Sequence, residues 1–162
     1  MKRQLIMGKI KHKEAKRLRP VVIDGMNIGY CHGQDNFFSL MGILIVTRYF
    51  LKKGHRVKIF LPQYVLSMTK LTSQDRSIIS NLKTFGIIVL TPSKYDDDSY
   101  ILDWAHLRNA VVITRDKFRD FKSKNFKIPK CLEPTFVGDT LLWPRHPYGK
   151  YSNISLGEFL SF

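Results

Sequence analysis

The chain has 162 residues, with 27 Lys and Arg against 13 Asp and Glu, for a formal net charge of +14. That length suits one domain with a sizeable buried core, and a 44% hydrophobic, 25% charged composition is the balance of a soluble globular protein. The longest apolar stretch, Leu40 to Leu51, is broken by Thr47 and Arg48, which excludes a membrane span there; two cysteines, Cys31 and Cys131, exclude a disulfide framework, and no Cys/His spacing suits zinc.

Residues Met1 to Arg19 carry Lys2, Arg3, Lys9, Lys11, Lys13, Lys16, Arg17 and Arg19 among few apolar residues. This is a basic arm over residues 1–18, ahead of a folded domain over 19–162. Such an arm suits an RNA contact, a nuclear address or a plain solvated tail. The net positive field attracts polyanions, of which nucleic acid is the commonest, although charge that only aids solubility and a membrane-surface binder have the same composition. No charged segment is followed by a clean apolar run, so no secretory signal is read. The expected setting is reducing and cytoplasmic, with nuclear entry through the arm as a second option.

From Pro20 the pattern changes. Val21-Val22-Ile23 is a β-branched run ending at Asp24-Gly25, read as a buried strand and a turn. Ser39 to Lys53 has apolar residues at helical spacing, with Gly54 as its stop. Val57 to Leu61 is a second strand ended by Pro62, Thr72 to Thr84 a helix, and Ile87 to Leu90 a third strand. Asp97 to Arg108 shows a helix face, Ala110 to Ile113 a fourth strand, Phe136-Val137 a fifth, and Ser155 to Leu160 a short closing helix. Strands alternate with helices, and the strands are continuous apolar runs. This predicts an α/β fold, a three-layer sandwich with a central, mainly parallel sheet covered on both faces.

In such sheets function gathers at the carboxyl ends of the strands. The first strand delivers Asp24 and then Asn27; the third is followed by Asp96, Asp97 and Asp98; the fourth is followed by Asp116 and Asp120. A basic chain thus places much of its small acidic stock at one edge. Clustered carboxylates repel, and burial raises the cost of ionising them, so a divalent cation is the natural occupant. Mg²⁺ takes one or two carboxylates, waters and phosphate oxygens, and it can stabilise charge on a phosphate and activate water. Each acid also has a plain structural role available: Asp24-Gly25 as a turn, the Asp96–Asp98 run and Asp116 as helix caps, Asp120 as a surface partner of Lys117, Arg119 or Lys124. His32, His55, His106 and His146 read as surface or packing residues. Trp104 reads as core, and Trp143, in a proline-bearing basic loop, as core or as a platform for a base.

These residues resemble the Zc3h12a-like (Regnase, MCPIP-type) NYN ribonuclease domain, within the PIN-like superfamily. The resemblance runs from Arg19-Pro20-Val21-Val22-Ile23-Asp24-Gly25-Met26-Asn27 with His32-Gly33, through Phe50-Leu51-Lys52-Lys53-Gly54-His55 and Leu90-Thr91-Pro92-Ser93. It continues through Thr114-Arg115-Asp116 with Phe118-Arg119-Asp120 to Phe136-Val137-Gly138-Asp139, covering about residues 19 to 160. It implies a PIN-like fold and Mg²⁺-dependent endonucleolytic cleavage of single-stranded RNA, with Mn²⁺ as a substitute metal, in mRNA turnover or RNA silencing. By position it implies catalytic Asp24, Asn27, Asp97, Asp98, Asp116 and Asp120, of which Asp24, Asp98 and Asp116 hold the metal. Lys2, Arg3, Lys9, Lys11, Lys13, Lys16, Arg17, Arg19, Arg115, Lys117 and Arg119 are the expected RNA contacts. RNA-decay or silencing proteins and a second copy of the chain are compatible partners.

The chain departs from the family pattern at Met26, where the family has serine, and in a shorter loop between Ser93 and Tyr95. No zinc finger follows, so targeting is expected from the arm, from partners or from sequence beyond this chain. The main rival is an RNA-binding pseudo-nuclease. A haloacid-dehalogenase-type phosphotransferase needs a second aspartate where Met26 stands, and no Gly-x-Gly-x-x-Gly follows the first strand to support a dinucleotide site.

Overall fold

A computed structural model describes residues 16–92, 97–147 and 149–162. Five strands form one wholly parallel sheet: β1 (Val21–Asp24), β2 (Val57–Pro62), β3 (Ile88–Thr91), β4 (Val111–Ile113) and β5 (Lys130–Leu132), in the order β3-β2-β1-β4-β5. Side chains alternate between faces along each strand. Val21 and Ile23 therefore enter one buried cluster and Val22 the other.

On the first face lie α1 (Gly25–His32), α2 (Leu40–Lys52) and α3 (Ser73–Thr84). α2 seats Ile43, Val46 and Phe50 in the larger cluster, at the spacing of one helix stripe. α3 starts at a capping box in which Thr72 and Asp75 satisfy each other's backbone N–H groups. On the second face α4 (Asp97–Arg108) packs on β1, β2 and β4 through Ile101, Leu102 and Ala105, with the short α5 (Arg119–Ser123) beside it. The expected helix over Asp97 to Arg108 has those bounds in the structure. α6 (Leu156–Phe159) closes the chain with a second capping box, between Ser155 and Glu158. Among the described residues no helix is long and apolar enough to cross a membrane.

Two expectations are corrected. Phe136-Val137 does not join the main sheet: β6 (Thr135–Val137) pairs with β7 (Thr140–Leu142) as a separate antiparallel hairpin. Its two-residue loop is Gly138-Asp139, and Gly138 takes φ +57, the left-handed conformation a tight hairpin needs. The fifth sheet strand is instead Lys130–Leu132, only three residues long and bounded by Pro129 and Pro134. Likewise, Asp24-Gly25 is no free turn. Gly25 opens α1 directly from β1, and Asp24 is its N-cap. A Cβ at Gly25 would lie 2.5 Å from Leu61 Cδ2 and 2.6 Å from the Phe60 carbonyl oxygen, so only glycine allows the helix to leave so close to β2.

Residues Met1 to Ala15 lie outside the described residues, and with them Lys2, Arg3, Lys9, Lys11 and Lys13. The pairing of the folded unit reaches back to Arg17: its carbonyl accepts from the Phe162 N–H at 2.8 Å, and Leu18 bridges Ser161 in antiparallel fashion.

Candidate active site

The chain runs β1, β2, β3 outward on one side, then returns through α4 to β4 and β5 on the other. The direction reverses between β1 and β4. There the loops leaving the two carboxyl ends part, opening a crevice. Asp24 ends β1 on one side of it, and Thr114, Arg115 and Asp116 leave β4 on the other.

Asp24 is 8% exposed. Its Oδ2 accepts a hydrogen bond from Thr114 Oγ1 at 2.8 Å, and its Oδ1 accepts from the Asn27 N–H at 3.3 Å. Burial nevertheless pushes its carboxyl up to about 6, against these two bonds, with Asp116 and then Asp97 adding repulsion. Three acids widely spaced in the chain thus share one electrostatic environment. Thr114 also accepts from the Asp116 N–H at 3.0 Å, so one hydroxyl ties the acids of two neighbouring strands together. Asp116 Oδ1 accepts from the Phe118 N–H at 2.8 Å, and Phe118 adopts the left-handed conformation with its ring buried. This closes a tight turn that holds Asp116 at the strand end.

Asp97 begins α4, where the helix dipole favours negative charge, and accepts from Thr91 Oγ1, the residue that ends β3. Asp98 follows in the same first turn; Asp96 lies outside the described residues. Asp120 is exposed in the first turn of α5, and its carboxylate enters no ion pair with Lys117, Arg119 or Lys124 among the described residues. The Asn27 side-chain Oδ1 accepts from the Arg115 N–H at 2.8 Å, pinning α1 to the loop after β4.

The donor set consists of carboxylate oxygens, the buried Asp24 repelled by the partly exposed Asp116 and Asp97, which is what a hard divalent cation selects. Among the described residues no three of His, Cys, Asp and Glu already close into a cage. Mg²⁺ does not require one, because it retains waters and takes the remainder of its shell from substrate phosphate.

A family model for the Zc3h12a-like ribonuclease NYN domain matches residues 17–157. The chain belongs to this family. It is 34% identical to endoribonuclease rege-1 of Caenorhabditis elegans over 87% of its length, but spans only 24% of that relative. Its fold is shared with the crystal structure of nuclear proteinaceous RNase P 2 (PRORP2) of Arabidopsis thaliana, at 22% identity and a TM-score of 0.65 over 76% of this chain and 29% of that one. A second structure of the same plant protein gives 21% identity and a TM-score of 0.67, over 78% of this chain and 29% of that one. The three-layer α/β architecture is accordingly the PIN-like one expected from the sequence.

In this NYN domain the expected RNA contacts among the described residues fall at two opposite edges. Arg115, Lys117 and Arg119 sit beside the acids. Arg115 forms a two-pronged ion pair with Asp35 at 2.6 and 3.1 Å, Lys117 pairs with Glu133 at 2.9 Å, and Arg119 is exposed at the start of α5. Lys16, Arg17 and Arg19 precede β1 and so lie at the amino edge, a strand's length from Asp24. Arg19 is committed to structure there: Nε donates to the Ser161 carbonyl at 2.8 Å, one terminal nitrogen donates to the Asn109 carbonyl at 3.1 Å, and the guanidinium covers the Phe162 ring.

Other expectations resolve as packing. His55 is buried against Phe50 and bonds the Arg19 carbonyl at 2.8 Å. Trp143 packs between Tyr49 and Phe50, with ring centroids 5.4 Å from each, so it belongs to the core. Met26, standing where the family has serine, packs against the larger cluster. Sequence reasoning assigns Thr114 no role. Its signal is a threonine directly after a buried run and two residues before an acid, because a hydroxyl there can serve both strand ends. His32 has no partner pattern along the chain, yet it links α1 to Ser39 at 2.7 Å and to Asp139 of the hairpin at 2.9 Å.

Proposed function

We propose that this chain is a metal-dependent endoribonuclease domain that cuts single-stranded RNA, with mRNA turnover or RNA silencing as its setting. The observation that carries this is Asp24: a buried carboxylate at the switch point of the sheet, held by Thr114 and repelled by Asp116 and Asp97. A structural N-cap has no need of two further acids beside it. A site that binds a divalent cation against a phosphodiester does.

Asp24, Asp98 and Asp116 would hold Mg²⁺, directly or through water, with Asp97, whose charge reaches Asp24, completing the acidic set and Asp120 at the outer margin; Mn²⁺ suits the same oxygens. When bound, such an ion supplies charge stabilisation on the phosphate and a more acidic water. The chain's own residues do the positioning. Thr114 fixes Asp24 and Asp116 relative to each other, Asn27 and Phe118 fix their oxygens through backbone N–H groups, and Thr91 orients Asp97. Arg119, exposed at the same edge, would supply positive charge for a flanking phosphate, and Arg115 and Lys117 would do so by exchanging Asp35 and Glu133 for phosphate oxygens.

The test is cleavage of an unstructured RNA by wild type with Mg²⁺, by wild type with chelator, and by Asp24→Asn. Cleavage only in the first arm supports the reading. Equal product in all three would overturn it. Retained RNA binding without metal-dependent cleavage would favour the scaffold reading.

A further inference from the structure

A cleft of about 640 Å³ opens directly from the acidic edge: Thr114 and Asp116 form its inner wall, and it runs on past β5. Its size is that of a site for one small molecule. Its floor includes the apolar surfaces of Phe126, Ile128 and Pro129. Phe126 is held against Phe121 and His106, at ring centroid distances of 5.9 and 6.4 Å, so the floor is braced from beneath. Lys117, Lys122, Lys127 and Lys150 stand around the cleft. Lys117 is neutralised by Glu133, but Lys122 and Lys127 are exposed and enter no ion pair among the described residues. Lys150 lies over the Tyr151 ring, 5.1 Å from its centroid.

Apolar floor, cationic rim and continuity with a phosphodiester-cutting edge together describe one occupant. We propose that this cleft is a subsite for one unstacked nucleotide adjoining the scissile phosphate, its base on Phe126, Ile128 and Pro129 and its phosphates facing Lys122, Lys127 and Lys150. The assignment rests on the nuclease reading for the position of the scissile phosphate. It also supplies a physical reason for single-strand preference: a base reaches this floor only when splayed out of a stack, which paired RNA resists. The carboxylates that line the cleft do not oppose an anion equally, since Glu133 is already paired and Asp116 belongs to the acidic site.

The test is binding of short single-stranded RNAs carrying one abasic position, moved along the strand, measured with wild type in chelator so that nothing is cut. One position should lose affinity by about 5- to 150-fold, the range for a base deprived of its stacking platform, and neighbouring positions should not. The double variant K122E/K127E changes two exposed residues away from the acids. It should raise KM with kcat retained, and should flatten the dependence of log affinity on log salt by at least about 1.4, roughly 0.7 for each phosphate no longer neutralised. An abasic scan flat at every position, with wild type still cutting RNA, overturns the subsite and leaves the nuclease reading intact. A position-specific loss in a protein that never cuts RNA supports the subsite and overturns the nuclease reading. The wild-type scan decides the matter even if the double variant does not fold.

Discussion

The two ends of the parallel sheet are built on opposite terms. At the amino end Arg19 is bonded on several sides: its guanidinium bonds the Ser161 and Asn109 carbonyls, its own carbonyl takes His55, and Phe162 lies against it. At the carboxyl end a buried Asp24 is held by two hydrogen bonds and still pushed up to about 6 by its surroundings. Both ends belong to the same strands, with Arg19 partly exposed at one and Asp24 buried at the other. One is arranged to close the domain, and the other keeps an electrostatic strain of the kind that the divalent cation proposed above would relieve. The difference teaches that stability and function divide along the strand axis here, so each can be disturbed alone.

The largest effect should come from the carboxyl end. Asp24→Asn should lower Mg²⁺-dependent RNA cleavage by at least about 100-fold, since several kcal/mol of charge stabilisation depend on the acidic set, while the melting temperature of metal-free protein at neutral pH holds or rises. A melting temperature that collapses instead would mean that Asp24 is a structural cap.

Next in size is a pH effect on metal-free protein. The folded carboxyl of Asp24 titrates above its unfolded value of about 3.9, so folding favours its neutral form. That contribution is full below the unfolded value and is lost as pH rises through about 6. Stability should therefore fall by about 3 kcal/mol between about pH 4 and pH 7 through this group, as an order of magnitude. Denaturant unfolding across that window should show the fall, and Asp24→Asn should flatten it. Millimolar Mg²⁺ should raise the wild-type melting temperature at neutral pH through linkage, and Asp97→Asn should blunt that rise.

A smaller effect should follow from Thr114→Val, which keeps shape but removes the hydroxyl shared by Asp24 and Asp116. A cost of about 1–3 kcal/mol in denaturant unfolding is expected, together with loss of cleavage in molecules that remain folded. Smallest on function should be Arg19→Ala at the amino end: about 1–2 kcal/mol of stability, with cleavage per folded molecule unchanged. If cleavage falls with KM rising, Arg19 touches RNA after all and the division between the two ends fails.

Much of this was written along the chain. Val21 to Ile23 and Val111 to Ile113 are continuous apolar runs, and Val57 to Leu61 is one broken only by Lys58, because both faces of a parallel sheet are buried; α2, α3 and α4 show helical spacing or capping signals that depend on near neighbours alone. The acids at the strand ends were legible for the same reason, since a strand's carboxyl end is a place in the sequence. What the sequence could not decide depended on distant partners. β5 is three residues whose strand character comes from β4 beside it, whereas Phe136-Val137 has better strand residues but pairs locally across Gly138-Asp139. α1 carries Gly25 and Gly29, poor helix formers, and exists because β2 leaves room only for glycine at position 25. That Asp97 and Asp116 act on Asp24, and that Thr114 joins two of them, follows from strand order: β1 and β4 are neighbours in space, 90 residues apart at Asp24 and Thr114, and only packing brings such groups within reach of one another.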